Sequence, residues 1–198
     1  MNIASIARYA LRAGFVFPTF AILAFLADRP LSKFFSLMGL GRGEVSYFSI
    51  LRNQYAFLQR RGLTNDYSVF DFQIFEAFAW IALVICIVRI LGSLLSSDVL
   101  DSFKTFVEKL RARGRSTRGA VFFFIGVGFL SMIFATNFSV TVHADLMRFL
   151  MTSAPRAFIC LSVMLFCWGS LFFTEGLLFV AFLIRERIKS NNANVTST

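Results

Sequence analysis

This sequence has little of what most active sites are built from. It contains one histidine, His143, in 198 residues. A lone imidazole cannot supply a two-histidine metal or haem site, and no CxxC, HExxH or paired-carboxylate motif accompanies it. Asp145 lies two positions on, and the pair reads as exposed residues of a connection. A serine nucleophile is not signalled either, because no GxSxG occurs and no histidine falls in an apolar run to act as its base. Gly39, Gly41 and Gly43 lack the strand and helix that would make a phosphate-binding loop of them. Three cysteines, Cys86, Cys160 and Cys167, all sit inside long apolar runs. Cys160 and Cys167 share a helix face, but about 10 Å of rise separates them, too far for a disulfide. They read as small packing residues. Catalysis, bound metal and cofactors are therefore not expected.

Charge is scarce as well. Only 16% of the residues are charged, while 57% are hydrophobic. A soluble domain of this size could not cover that much apolar side chain, whereas lipid solvates it. Two Trp and four Tyr allow only a thin aromatic belt, but 27 Phe residues carry no polar atom that needs a partner in hydrocarbon. The net charge of +9 could suggest a nucleic-acid partner. The basic residues, however, stand at the ends of apolar runs rather than on one folded face, so no nucleic acid is expected. At such positions each cation contributes about 1 kcal/mol beside an anionic leaflet.

Long uncharged runs are what the chain has in abundance. Gly119 to Phe138 is free of charge throughout, and Ala157 to Ile184 is interrupted only by Glu175. A helix of about 20 apolar residues matches the ~30 Å hydrocarbon layer. These runs predict an all-α, polytopic helical membrane protein in one membrane domain over residues 1–198. Four transmembrane helices are expected, at about 11–27, 72–95, 119–138 and 157–184, together with interfacial amphipathic helices.

The first of these is the most ambiguous. Arg8 and Arg12 precede an apolar run that could be a signal segment, a targeting segment or an interfacial helix; the expected reading is a retained span kinked at Pro18. The 72–95 span carries Glu76 near one end and Arg89 near the other, positions from which a charge can snorkel. The last span exceeds the membrane thickness, so it is expected to tilt, to bend near Gly169 or Gly176, or to project into the cytoplasm.

Two segments read as helices on the membrane surface. In residues 44–61, Phe48, Leu51, Tyr55 and Leu58 fall on one face, with Arg52, Asn53, Gln59 and Arg60 elsewhere. In residues 98–113, Asp98 is placed to cap the start and Gly114 to close the end, and Val99, Phe103, Phe106, Val107 and Leu110 form one stripe. Lys109, Arg111, Arg113, Arg115 and Arg118 then make a basic collar ahead of the third span. Residues 185–198 read as a flexible polar tail.

With four spans, one side of the membrane holds 11 Lys or Arg and the other 8. The positive-inside rule therefore places both termini in the cytoplasm, of a bacterial inner membrane or alternatively of its mitochondrial counterpart. Counted from that side, Arg89 and Glu175 lie at about 9 and 14 Å depth. An ionised Glu175 alone in hydrocarbon is costly, so an interhelical ion pair between these two is expected.

The function expected from these features is a non-catalytic integral membrane subunit or assembly factor of a larger complex, of secretion, conjugation or respiratory type. Its partners would be the lipid bilayer and other membrane subunits. The alternative is a small oligomeric transporter of ions or solutes using Glu175. A lipid-modifying enzyme would have to use His143 and Asp145 or the basic collar.

Overall fold

In the computed structural model, residues 14, 16, 19, 48–63, 69–141, 143 and 145–195 are described, and every regular element among them is a helix. These are α1 (Ser49–Arg60), α2 (Val69–Leu95), α3 (Ser97–Ala112), α4 (Thr117–Thr136), the single turn α5 (Phe138–Thr141), α6 (Asp145–Ser153) and α7 (Pro155–Val195). Three are long and apolar enough to cross a membrane: Asp71–Leu95 in α2, Thr117–Thr136 in α4 and Pro155–Asn192 in α7. The described residues thus carry three such helices where the sequence suggested four. The expected 11–27 span lies outside the described residues apart from Gly14, Val16 and Thr19. Of these, Gly14 is buried where a Cβ would approach Leu171 to 2.9 Å and Ile85 to 3.3 Å.

The start of α2, the end of α4 and the start of α7 meet in one aromatic cluster. Phe72 and Phe138 rings lie 6.2 Å apart, and Phe138 stands edge-on to Phe158 at 4.8 Å. Leu51 and Leu58 of α1 and Met151 of α6 close this cluster. At the opposite end, Phe103 of α3 stacks on Phe179 of α7 at 5.4 Å, with Phe182 at 6.2 Å. Helices α2 and α7 therefore run parallel, and α4 returns between the two ends. Centrality differs sharply: 56% of the most apolar stretch of α7 is buried within the protein, against 11% for α4. Most of α4 is half-buried or exposed.

The two expected surface helices use their apolar faces on the chain's own core. In α1, Leu51 and Leu58 are buried while Arg52, Asn53, Gln59 and Arg60 are exposed. In α3, Val99, Phe103 and Val107 are buried against the rest of the chain. Asp98 does not cap α3. Ser96 takes the cap position without a side-chain bond, and Asp98 sits in the first turn, where its charge still opposes the helix dipole favourably. The end of α3 is closed at Gly114, whose φ of +62° is strained for any residue with a side chain. That turn lets Gly114 N–H reach Arg111 O at 2.9 Å and Arg115 N–H reach Leu110 O at 2.9 Å, satisfying two carbonyls left over by the helix.

Helix α4 stops at Thr136, short of the expected 138, because Asn137 leaves helical geometry. The Phe138 N–H freed by this break donates to Gln54 Oε1 of α1 at 2.8 Å. Pro155 opens α7, where its missing N–H costs nothing. The expected flexible tail from residue 185 is instead helical through Val195. After Gly176 no Gly or Pro interrupts α7, Arg185 pairs with Asp101 of α3 at 3.3 Å, and Lys189 pairs with Glu186 within the helix.

Gly169 and Gly176 are contact points with α4. A Cβ on Gly169 would lie 2.8 Å from Gly128 O, and one on Gly176 would lie 2.7 Å from Ile125. Reciprocally, a Cβ on Gly128 would lie 2.5 Å from Phe173 N and 2.7 Å from Gly169 O, so the two backbones touch. Between apolar helices in lipid no hydrophobic force acts, and such close approach is what dispersion needs. Gly126, two positions before, has nothing within 4 Å of the same construction. Gly128→Val should therefore destabilise the protein by about 2 kcal/mol or more, since overpacking costs about 1–3 kcal/mol and backbone cannot yield. Gly126→Val should change stability little. Thermal unfolding of both variants in detergent checks the pair, and equal midpoints would refute the α4–α7 contact.

Candidate functional site

The polar groups inside the apolar layer collect on the seam between α2 and α7. Arg89 projects from α2 and is 2% exposed; Glu175 projects from α7 and is 9% exposed. Arg89 Nε donates to Glu175 Oε1 at 2.6 Å, and Nη2 donates to Oε2 at 2.8 Å. Both carboxylate oxygens are thereby engaged by a planar fork, the strongest geometry open to an arginine–carboxylate pair. The two residues come level although their depths counted from the sequence differed by about 5 Å, or three residues of rise. That count took Ile184 as the end of its helix, and α7 has no end there.

Weaker polar rungs lie along the same seam. Cys86, nearly one turn before Arg89, donates its thiol to Ser170 O at 3.5 Å, and Cys167 donates to Phe78 O at 3.7 Å. These sulfur contacts are second-order in energy. They nevertheless show the cysteines spanning the seam rather than filling space alone. All three cysteines are buried and unpaired. Ser170 donates back to Phe166 O at 2.8 Å and Thr136 to Met132 O at 2.8 Å, the intrahelical bonding open to hydroxyls in apolar surroundings. The Ser162 hydroxyl is fully buried without a partner.

Glu76, at the other end of α2, does not reach the interface by snorkelling. It is 6% exposed, and Trp80 Nε1 donates to its Oε1 at 3.4 Å. His143 is exposed. Its neighbour Asp145 accepts from Arg148 Nη2 at 2.7 Å, one turn along the exposed face of α6. Lys109, Arg111, Arg113, Arg115 and Arg118 are all exposed, gathered where α3 ends and α4 begins, and make no ion pair with a described residue. Among the described residues, no group of three His, Cys, Asp or Glu is placed to hold a metal ion.

What this arrangement can do is bind two helices together. A guanidinium and a carboxylate that satisfy each other present no free charge to a solute, and the seam's other polar atoms point at backbone. Sequence reasoning reached Arg89 and Glu175 by the cost of their isolation. It missed the thiol rungs, for which the only signal was the spacing of Cys86, Cys160 and Cys167, and the burial of Glu76. No protein-family model matches the sequence, and no curated protein or solved structure matches it.

Arg89→Ala should destabilise the protein by about 3–5 kcal/mol, the usual cost of leaving one member of a buried pair alone. Replacing both, as Arg89→Leu with Glu175→Leu, should restore most of that loss, because two apolar side chains need no partner. Urea unfolding in mild detergent, run as a double-mutant cycle, measures the coupling. Additive effects of the two single substitutions would remove the pair from any structural role.

Proposed function

We propose that this chain is a non-catalytic integral membrane subunit or assembly factor of a larger membrane complex, in the manner of the small helical subunits of secretion, conjugation or respiratory machines. The observation that carries this reading is the outer face of α2. Trp80, Val84, Ile87, Leu91 and Leu94 recur at alternating four- and three-residue steps and are 52%, 55%, 53%, 50% and 76% exposed. That spacing is the seam with which one helix packs along another. On the opposite side of the same helix the seam with α7 is already occupied. Phe48 of the chain itself covers part of Trp80 at 4.9 Å, and a second helix from another subunit fits the rest of the exposed stripe.

The polar inventory supports the same reading. Glu175, the residue on which transport would turn, has both carboxylate oxygens committed to Arg89. The interfacial roles expected of α1 and α3 belong to this proposal too: their exposed polar faces meet headgroups while their apolar faces bind the core. For orientation, Phe103 packing on Phe182 puts α3 and the end of α7 at one end of the bundle, so the basic collar and Arg185, Arg187 and Lys189 lie together. By the positive-inside rule that end faces the cytoplasm, in a bacterial inner membrane on this reading.

Extraction in a mild detergent should yield the chain together with other membrane proteins, identified by mass spectrometry. Val84→Ala with Ile87→Ala and Leu91→Ala should lower their recovery at least tenfold while shifting the chain's own unfolding midpoint by only a few degrees, because these side chains face outward. Recovery as a homo-oligomer with water reaching Glu175 would overturn this reading in favour of transport.

A further inference from the structure

We propose that a groove between α3 and α4 holds one anionic phospholipid, drawn from the leaflet that meets the basic collar. The groove encloses about 560 Å³, within the roughly 300–1,000 Å³ typical of small-ligand sites. Its walls are hydrocarbon: Phe106 and Leu110 from α3, Phe123 and Phe124 from α4. These walls are held from behind. Phe106 lies edge-on to Phe124 at 5.9 Å and to Phe179 at 5.5 Å, while Phe124 meets Phe172 at 5.8 Å. The groove is thus backed by Phe172 and Phe179 of α7.

Its mouth carries the opposite chemistry. Lys109, Arg113 and Arg115 line it, all exposed, and no acidic residue does. Three cations around an apolar trough complement an amphiphile with an anionic head and a hydrocarbon tail. A soluble anion would gain nothing from the phenyl walls, and an apolar peptide nothing from the cations. The depth fits as well. Ser116 and Gly119, at the first turn of α4, also line the groove, so the cations stand where that helix enters the apolar layer. Phe122 and Phe123, 78% and 58% exposed beside it, face the region of acyl chains. Arg111 and Arg118 belong to the collar but do not line the groove. The site needs only that α4 spans the membrane, and it holds whether the chain works alone or in an assembly.

The test separates a built site from diffuse attraction by a basic surface. A Cβ on Gly119 would meet only Ser116 Cβ, at 3.8 Å, so Gly119→Leu can fill the groove without disturbing the helix or the charges. The full chain is purified in dodecyl maltoside, mixed with phosphatidylglycerol or phosphatidylcholine, and read by native mass spectrometry. The expected result is one retained phosphatidylglycerol per chain, favoured at least tenfold over phosphatidylcholine. Gly119→Leu should lower that retention about tenfold, Arg113→Gln with Arg115→Gln should abolish the preference, and Arg111→Gln should leave both unchanged. Equal binding of the two lipids, unchanged retention in Gly119→Leu, or a loss in Arg111→Gln as large as in the rim variant would overturn the proposal. So would loss of a co-purifying protein, with lipid retention intact, in Gly119→Leu. The rim substitutions are at exposed positions, so their outcome decides the matter even if Gly119→Leu reduces the folded yield.

Discussion

An ionised guanidinium or carboxylate at mid-membrane costs about 2.5–3.5 kcal/mol on insertion scales, and Arg89 and Glu175 are both buried within apolar helices. Everything else in the seam follows from this. Arg89 on α2 and Glu175 on α7 must find each other, and a bidentate fork is satisfied only over a narrow range of rotation and register. The pair therefore fixes how α2 turns about its axis and how far it slides along α7. Once those two freedoms are set, Cys86 falls opposite Ser170 and Cys167 opposite Phe78, and the outward stripe of α2 is determined by subtraction.

The other long contact has a different physical basis. Helix α4 has no charge beyond Arg118 in its first turn and meets α7 by shape, through Gly128 against Gly169 and Ile125 against Gly176. Close backbone approach gives many weak contacts at short range, which is the main attraction left when both helices and their solvent are apolar. α7 is thus the shared element, held to one neighbour by electrostatics and to the other by dispersion. At its two ends the phenylalanine clusters around Phe138 and Phe179 tie in α1, α6 and α3. Those short helices, in turn, pack against rings that would otherwise be exposed.

The functional reading rests on how polar and apolar resources are divided. Inside the bundle, Arg89 is paired with Glu175, Trp80 donates to Glu76, and Ser170 and Thr136 bond to their own backbones, so these groups are committed to holding the interior together. Outside it, α2 presents a regular apolar stripe, and the junction of α3 and α4 presents cations above phenyl walls. A helix from another subunit and an anionic lipid are the neighbours we propose for these two surfaces.

Reading along the chain, helix content and the three spans around α2, α4 and α7 were legible, because solvation in hydrocarbon depends on local composition over about 20 residues. The turn at Gly114 was legible for the same reason: a left-handed backbone angle is a local demand. Arg89 and Glu175 were legible as partners because each is costly alone. What could not be read is which glycines touch. Gly126 and Gly128 stand two apart in sequence with similar surroundings, yet only Gly128 faces α7, a matter of rotation set by packing. Residues 185–195 looked flexible because they are polar, but the contact of Arg185 with Asp101, far away in the chain, helps hold that end of α7. The amino-acid order by itself determined the solvent of each segment, since transfer free energy adds residue by residue. The tertiary structure alone decided the faces: helix rotation and register depend on several neighbours at once, and no single stretch of sequence contains them.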